Sequence, residues 1–242
     1  PKLIGHRGVK DLCPENTLQS IAKAFEIGLN FVEIDVKISR DKVPILLHDY
    51  TLDRTTNGSG LAIDYDYEKI KKLDAGKFFY KKNTNIFVPK LEDILNLCIN
   101  KNGNLNIELK PNKNFEKENV YEIYKLTKNI NQINIFFSSF DLISILEISK
   151  LYPQSNRSFL LHNFKEYKID DLINLLINNN IKICGLNVDL LSKEIVKKIK
   201  ENNISITTYS GKNISLSDAN YFFSLGVDSI FIDNPIDLLG KF

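Results

Sequence analysis

Apolar, β-branched runs of five or six residues alternate along this chain with segments whose apolar residues recur at helical spacing. That alternation, more than any composition figure, limits what the chain can fold into. Strands are predicted at Lys2–His6, from Phe31, at Leu105–Leu109, Ile133–Ser138, Arg157–Leu161, Ile183–Val188, Ile204–Tyr209 and Ser229–Asp233. Helices are predicted after Asn16, which can cap the first, at Lys90–Ile99, Glu116–Lys128, Asp141–Leu151, Ile169–Asn178, Ser192–Asn202 and Ser215–Leu225. A ninth strand, Val43–His48, follows the Phe31 strand after a link of at most four residues. So short a link excludes a crossover helix and makes the pair an antiparallel hairpin. Eight parallel strands remain, over 242 residues, close to the ~250 of a (β/α)8 TIM barrel. A doubly wound open sheet is the runner-up, weakened by the lack of a glycine-rich nucleotide loop after the first strand. The expected architecture is therefore one catalytic barrel domain spanning 1–242. After the hairpin comes an irregular inserted segment at about 49–88, with a short helix around Glu68–Leu73.

In such a barrel the reacting groups gather at the carboxyl ends of the strands. The first three strands end in His6-Arg7, Glu33-Ile-Asp35 and Glu108-Leu-Lys110. Residues two apart on a strand share a face, so Glu33 and Asp35 project together, as do Glu108 and Lys110. In the hairpin, a two-residue turn at Arg40-Asp41 sets His48 opposite Glu33, and one at Asp41-Lys42 sets it opposite Asp35. Three carboxylates so close repel unless a cation sits among them, and all-oxygen donors favour Mg2+ or Ca2+ over zinc. Arg7 and Lys110 add the positive potential that suits a phosphate group, and His6 and His48 can serve as general acid and general base. The combination describes metal-assisted cleavage of a phosphate ester. Ser138 and Ser139 lack a nearby base, which argues against a serine nucleophile.

Gly5-His6-Arg7-Gly8, Pro14-Glu15-Asn16-Thr17, Glu33-Ile-Asp35-Val, Leu47-His48-Asp49 with Asp53-Arg54-Thr55-Thr56-Asn57-Gly58, and Glu108-Leu-Lys110 stand in that order. In this the chain resembles the glycerophosphodiester phosphodiesterase family, densely from Leu3 to Lys110. Ser138-Ser139-Phe140 and Ile232-Asp233-Asn234-Pro235 are looser matches. The resemblance implies a metal held by Glu33, Asp35 and Glu108, an acid/base pair at His6 and His48, and phosphate contacts from Arg7 and Lys110. It further implies hydrolysis of a small glycerophosphodiester to glycerol 3-phosphate and an alcohol, with the inserted segment folding over the mouth. Thr208-Tyr209-Ser210 stands where the family often has Thr-Val-Asn with a nearby Trp, and the chain has no Trp. A phospholipase D-like hydrolysis of lysophospholipids and a non-catalytic phosphate-binding protein are the rival readings.

Bulk properties exclude other classes. A net charge of +2 with scattered lysines offers no basic stripe for nucleic acid. Cys13, Cys98 and Cys184 have neither even number nor CxxC spacing, against a disulfide framework or a zinc site. No apolar run reaches the ~18 residues of a membrane span, so no stable membrane insertion is expected. The expected location is cytoplasmic, with a homo-oligomer left open.

Overall fold

The computed structural model describes residues 2–242. Its nine strands are β1 (Leu3–Gly5), β2 (Phe31–Ile38), β3 (Pro44–Leu46), β4 (Asn104–Leu109), β5 (Ile135–Ser139), β6 (Asn156–Leu161), β7 (Ile183–Asn187), β8 (Ser205–Tyr209) and β9 (Ser229–Ile232). All but β3 run parallel, in the order β1-β9-β8-β7-β6-β5-β4-β2, and a Gly5–Val32 pairing of β1 with β2 closes the ring. The chain is a (β/α)8 barrel, with β3 antiparallel on the outer edge of β2. Helices α1 (Leu18–Glu26), α4 (Leu91–Lys101), α5 (Glu116–Thr127), α6 (Leu142–Leu151), α7 (Ile169–Asn178), α8 (Lys193–Glu201) and α9 (Leu216–Leu225) connect the parallel strands. Two short helices, α2 (Tyr67–Ile70) and α3 (Lys77–Tyr80), lie in the inserted segment. No helix among the described residues is long and apolar enough to cross a membrane.

Strand alternation sorts the residues into two environments. All eight residues of β2 are buried. Val32, Ile34 and Val36 face outward, into a core shared with Ile21 and Ala24 of α1 and Leu91, Ile94 and Leu95 of α4. Phe31, Glu33, Asp35 and Lys37 therefore occupy the inward positions. Ile4, Phe31, Phe136 and Phe231 form an apolar plug inside the barrel, so polar groups further along the same strands collect at the carboxyl end.

Two local expectations are corrected. The hairpin turn holds three residues, Arg40, Asp41 and Lys42, between paired Ser39 and Val43, with Lys42 in the left-handed region at φ 61°. The register is Val36 with Leu46, and β3 ends there, so His48 stands opposite neither Glu33 nor Asp35. It reaches the mouth from the loop beyond the ladder, anchored where Leu47 N–H donates to the Asp35 carbonyl (3.1 Å). The cap of α1 is Thr17 rather than Asn16: its hydroxyl accepts from Ser20 N–H (3.2 Å).

The inserted segment has its own small core of Ile45, Leu47, Leu52, Ala62, Ile70, Ala75 and Val88. Buried Asp74 ties it together, accepting from the backbone N–H groups of Gly76 and Thr84 and from the Thr84 hydroxyl. Burial works against its charge, but these donors prevail and hold its pKa below the ordinary value. A depressed folded-state pKa contributes stability above the unfolded value near ~3.9 and loses it as pH falls through the folded value. Asp74→Ala is thus expected to raise protease nicking of segment 49–88 about tenfold at neutral pH. The wild type should approach the variant only below about pH 4; limited proteolysis across pH reads both.

Candidate active site

The turn after β1 is tight. A Cβ at Gly5 would sit 2.2 Å from the Gly8 carbonyl oxygen, and one at Gly8, whose φ is 85°, would sit 2.4 Å from Ser20 Oγ. Ser20 in the first turn of α1 clamps this loop, accepting from Val9 N–H (2.8 Å) and donating to the Arg7 carbonyl (3.0 Å). Arg7 is held in the left-handed region at φ 52°. Its backbone N–H donates to Glu33 Oε2 (2.9 Å), and its guanidinium lies 2.8 Å from Glu15 and 3.2 Å from Asp35.

Glu33, Asp35 and Glu108 each present an oxygen, all within 4.8 Å of one another. Burial pushes the Glu33 carboxyl well above its ordinary range, and the charges of Asp35 and Glu108 add to the shift. Burial also raises Glu108, against the opposing pull of Lys110. Asp35 is equally buried, but Arg7, Lys110 and His48 outweigh that and hold it far below the usual carboxylate range. Asn16, in the left-handed region, brackets Asp35 by donating to its carboxylate (2.8 Å) and accepting from its backbone N–H (3.0 Å). Lys110 Nζ donates to Glu108 (2.7 Å) and lies 3.4 Å from Asp35.

His6 and His48 each have a carboxylate partner. His6 Nδ1 is 2.6 Å from Asp233 Oδ1, with Lys10 at 3.1 Å from the other oxygen of Asp233. His48 Nδ1 is 2.6 Å from Asp49 Oδ1, and Arg54 bridges Asp49 (2.7 Å) to Glu15 (2.8 Å). Such pairing favours the Nδ1–H tautomer and leaves Nε2 for a substrate proton; His6 Nε2 is 4.0 Å from Glu33. Burial is the largest influence on both rings and lowers their pKa, against the pull of Asp233 on His6 and of Asp35 on His48.

The structure thus brings His6, Arg7, Glu33, His48, Glu108 and Lys110 to the lining of one cavity of about 340 Å³, with Asp35 immediately behind them. Asn16, Asp233, Asp49, Arg54 and Lys37 complete the surroundings and were not assigned to the site from sequence. Lys37, fully buried, shares the inward face of β2 with Glu33 and Asp35. Its ammonium donates to the His48 carbonyl (3.1 Å) beneath the Tyr50 ring, and burial pushes its pKa down to about 8. Alternation from Asp35 would have located it. On the far wall His162 stacks on Phe140 (4.2 Å) and meets the Tyr209 hydroxyl (2.8 Å).

Donors of this kind suit a hard divalent ion. They are all carboxylate oxygens, and Glu33 Oε1 and Asp35 Oδ1 are buried without a hydrogen bond. An acidic cluster flanked by two histidine–aspartate pairs and two cations, at the mouth of a (β/α)8 barrel, is the equipment of a phosphate-ester hydrolase. Comparison with known proteins narrows the class. The sequence model of the Glycerophosphoryl diester phosphodiesterase family matches residues 6–237. A glycerophosphodiester phosphodiesterase of Bacillus altitudinis is 31% identical over 241 residues, covering 97% of this chain and 95% of the relative. One from Caldanaerobacter subterraneus subsp. tengcongensis is 28% identical over 238 residues, covering 98% and 96%. The structure of an Oleispira antarctica phosphodiesterase in complex with the product sn-glycerol-3-phosphate superposes with a TM-score of 0.90 at 27% identity, covering 97% of this chain and 94% of that one. The chain belongs to the glycerophosphoryl diester phosphodiesterase family and is a phosphoric diester hydrolase.

Proposed function

We propose that this enzyme hydrolyses glycerophosphodiesters to glycerol 3-phosphate and an alcohol, using a divalent cation, Mg2+ or Ca2+, and a His6/His48 acid–base pair. The observation that carries the reading is the meeting of the three buried carboxylates with both carboxylate-paired histidines at one cavity. Glu33, Asp35 and Glu108 would hold the ion, which when bound supplies charge stabilisation to the phosphoryl oxygens. Arg7 and Lys110, already balancing the acids, engage the phosphate from the same side. One imidazole, neutral, takes the proton of the attacking hydroxyl on Nε2, and the other, starting as the imidazolium, delivers its Nε2 proton to the leaving alcohol. Asp233 and Asp49 orient the two rings and favour the imidazolium when it forms. Residues 1–242 act in this reading as a single domain, with segment 49–88 forming one rim of the mouth through the arm that carries His48 and Asp49.

The test is turnover of glycerophosphocholine, -ethanolamine, -glycerol and -inositol after chelation, then after readdition of each metal. Chelation is expected to abolish release of glycerol 3-phosphate and one of the two ions to restore it. Turnover that survives complete metal removal overturns the reading.

A further inference from the structure

Lys37 is a buried charged group that the proposed reaction does not use. Its side chain is fully enclosed, yet its ammonium forms no ion pair with a carboxylate among the described residues. It donates to the backbone carbonyl of His48 (3.1 Å), and the Tyr50 ring lies over it at 5.0 Å. A lysine is almost never fully buried unless paired, because the ammonium gives up its water. An apolar side chain of similar length would fill the place without that cost. Nor does Lys37 meet the substrate, since it takes no part in lining the catalytic cavity.

His48 needs a hold from outside its own arm. β3 ends at Leu46, and Leu47 N–H then donates to the Asp35 carbonyl (3.1 Å). Backbone bonding resumes at Tyr50, whose carbonyl accepts from Ala62 N–H (2.9 Å). Among the described residues, His48 and Asp49 make no backbone–backbone hydrogen bond of their own. Asp49, the partner of the His48 ring, is its neighbour in sequence and moves with it. Arg54, which ties Asp49 to Glu15, is exposed. Lys37 comes instead from β2, the strand that carries Glu33 and Asp35, and it grips the backbone of His48 itself.

Resting on the proposed function, we infer that Lys37 is a positioning residue for His48. Its ammonium pins the His48 carbonyl to β2 and so fixes the imidazole relative to the three acids. The proton carrier and the carboxylates then share one rigid strand as their frame, although His48 belongs to the arm. The Tyr50 ring covers the ammonium, and the attraction of a cation to a ring face helps to hold it there. Without the lysine the imidazole keeps Asp49, but Nε2 is free to drift from the reacting oxygen. A misplacement of about 1 Å is enough to cost about 10²-fold in rate.

The experiment is a double-mutant cycle of Lys37→Met and His48→Ala, read as kcat on the best diester, with NMR spectra of the imidazoles beside it. Lys37→Met is expected to lower kcat about 10–100-fold while Tm stays at or above that of wild type. In the His48→Ala background the same change is expected to cost nothing further. An unchanged kcat overturns the inference. So does a loss that persists without His48, because the lysine then acts through its charge on the ion or the phosphate. The chain has three histidines, and His48→Ala assigns the signal of the one in question. Lys37→Met is expected to shift or broaden the His48 signal and to leave those of His6 and His162 in place. An unmoved His48 signal overturns the inference. A His48→Ala enzyme of full activity refutes the proposed acid–base pair instead, and the spectra then decide the positioning role alone. Lys37→Leu serves in both arms if the methionine variant does not fold.

Discussion

Replacing His6 with alanine is expected to lower kcat by about 10²–10⁴-fold, the usual contribution of a positioned proton carrier. The side chain packs into no apolar cluster, so the thermal transition should stay close to that of wild type. Its Nδ1 faces Asp233 at 2.6 Å, which commits the other nitrogen to the cavity. Asp233→Asn separates orientation from charge. An amide can donate to Nδ1 and so select the opposite tautomer, with Nε2 protonated at rest. That variant should lose kcat while KM stays near wild type, because no substrate contact has been removed. Both losses are read from steady-state rates on the best diester, alongside circular dichroism to verify the fold. A His6→Ala enzyme that loses less than about tenfold would show that His6 carries no proton in the rate-limiting step.

How the two histidines are held also shows what sequence reasoning could reach. The eight parallel strands were legible because each is an apolar run of strand length between amphipathic segments, and the acids were legible because Glu33 and Asp35 obey the two-residue strand period. His48 was placed correctly on the side arm outside the barrel but with the wrong neighbours. A turn of three residues replaced the assumed two, and Lys42 adopted a left-handed conformation that its residue type does not advertise. Asn16 and Thr17 are both good helix caps. What decides between them is the Asp35 carboxylate and N–H, groups distant in sequence that the Asn16 amide satisfies, which leaves the cap to Thr17. Asp233 lies 227 residues from His6. Only the pairing of β1 with β9 makes them neighbours, and no local pattern encodes it.

Exchange of Glu33 for glutamine is expected to abolish turnover and, in chelator, to make the protein more stable. Three carboxylates within 4.8 Å repel, and Glu33 is the one that burial and its two neighbours push furthest from ionisation. Glutamine keeps the shape, and its amide oxygen can still accept from the Arg7 N–H as Glu33 Oε2 does. The variant therefore removes one unfavourable charge without opening a cavity. Relief of about 1 kcal/mol corresponds to a rise in Tm of about 2–4 °C for a chain of this size. Asp35 would behave differently, since Arg7, Lys110 and Asn16 all depend on it and its removal strands two cations. With a divalent ion present the order should invert: wild type gains Tm through ligand binding to the folded state, and Glu33→Gln gains much less. The loss in kcat should be about 10³-fold or more, because in the proposed reaction charge stabilisation at the phosphate comes from the ion. Scanning calorimetry with chelator and with each metal, beside rates on the same samples, measures all three quantities. If Glu33→Gln melts below wild type in chelator, mutual repulsion is not what governs the acids, and Arg7 and Lys110 already neutralise them in the metal-free protein. The triad would then be an ion-pair network that supports the fold, and its claim to hold a metal would rest on the activity data alone.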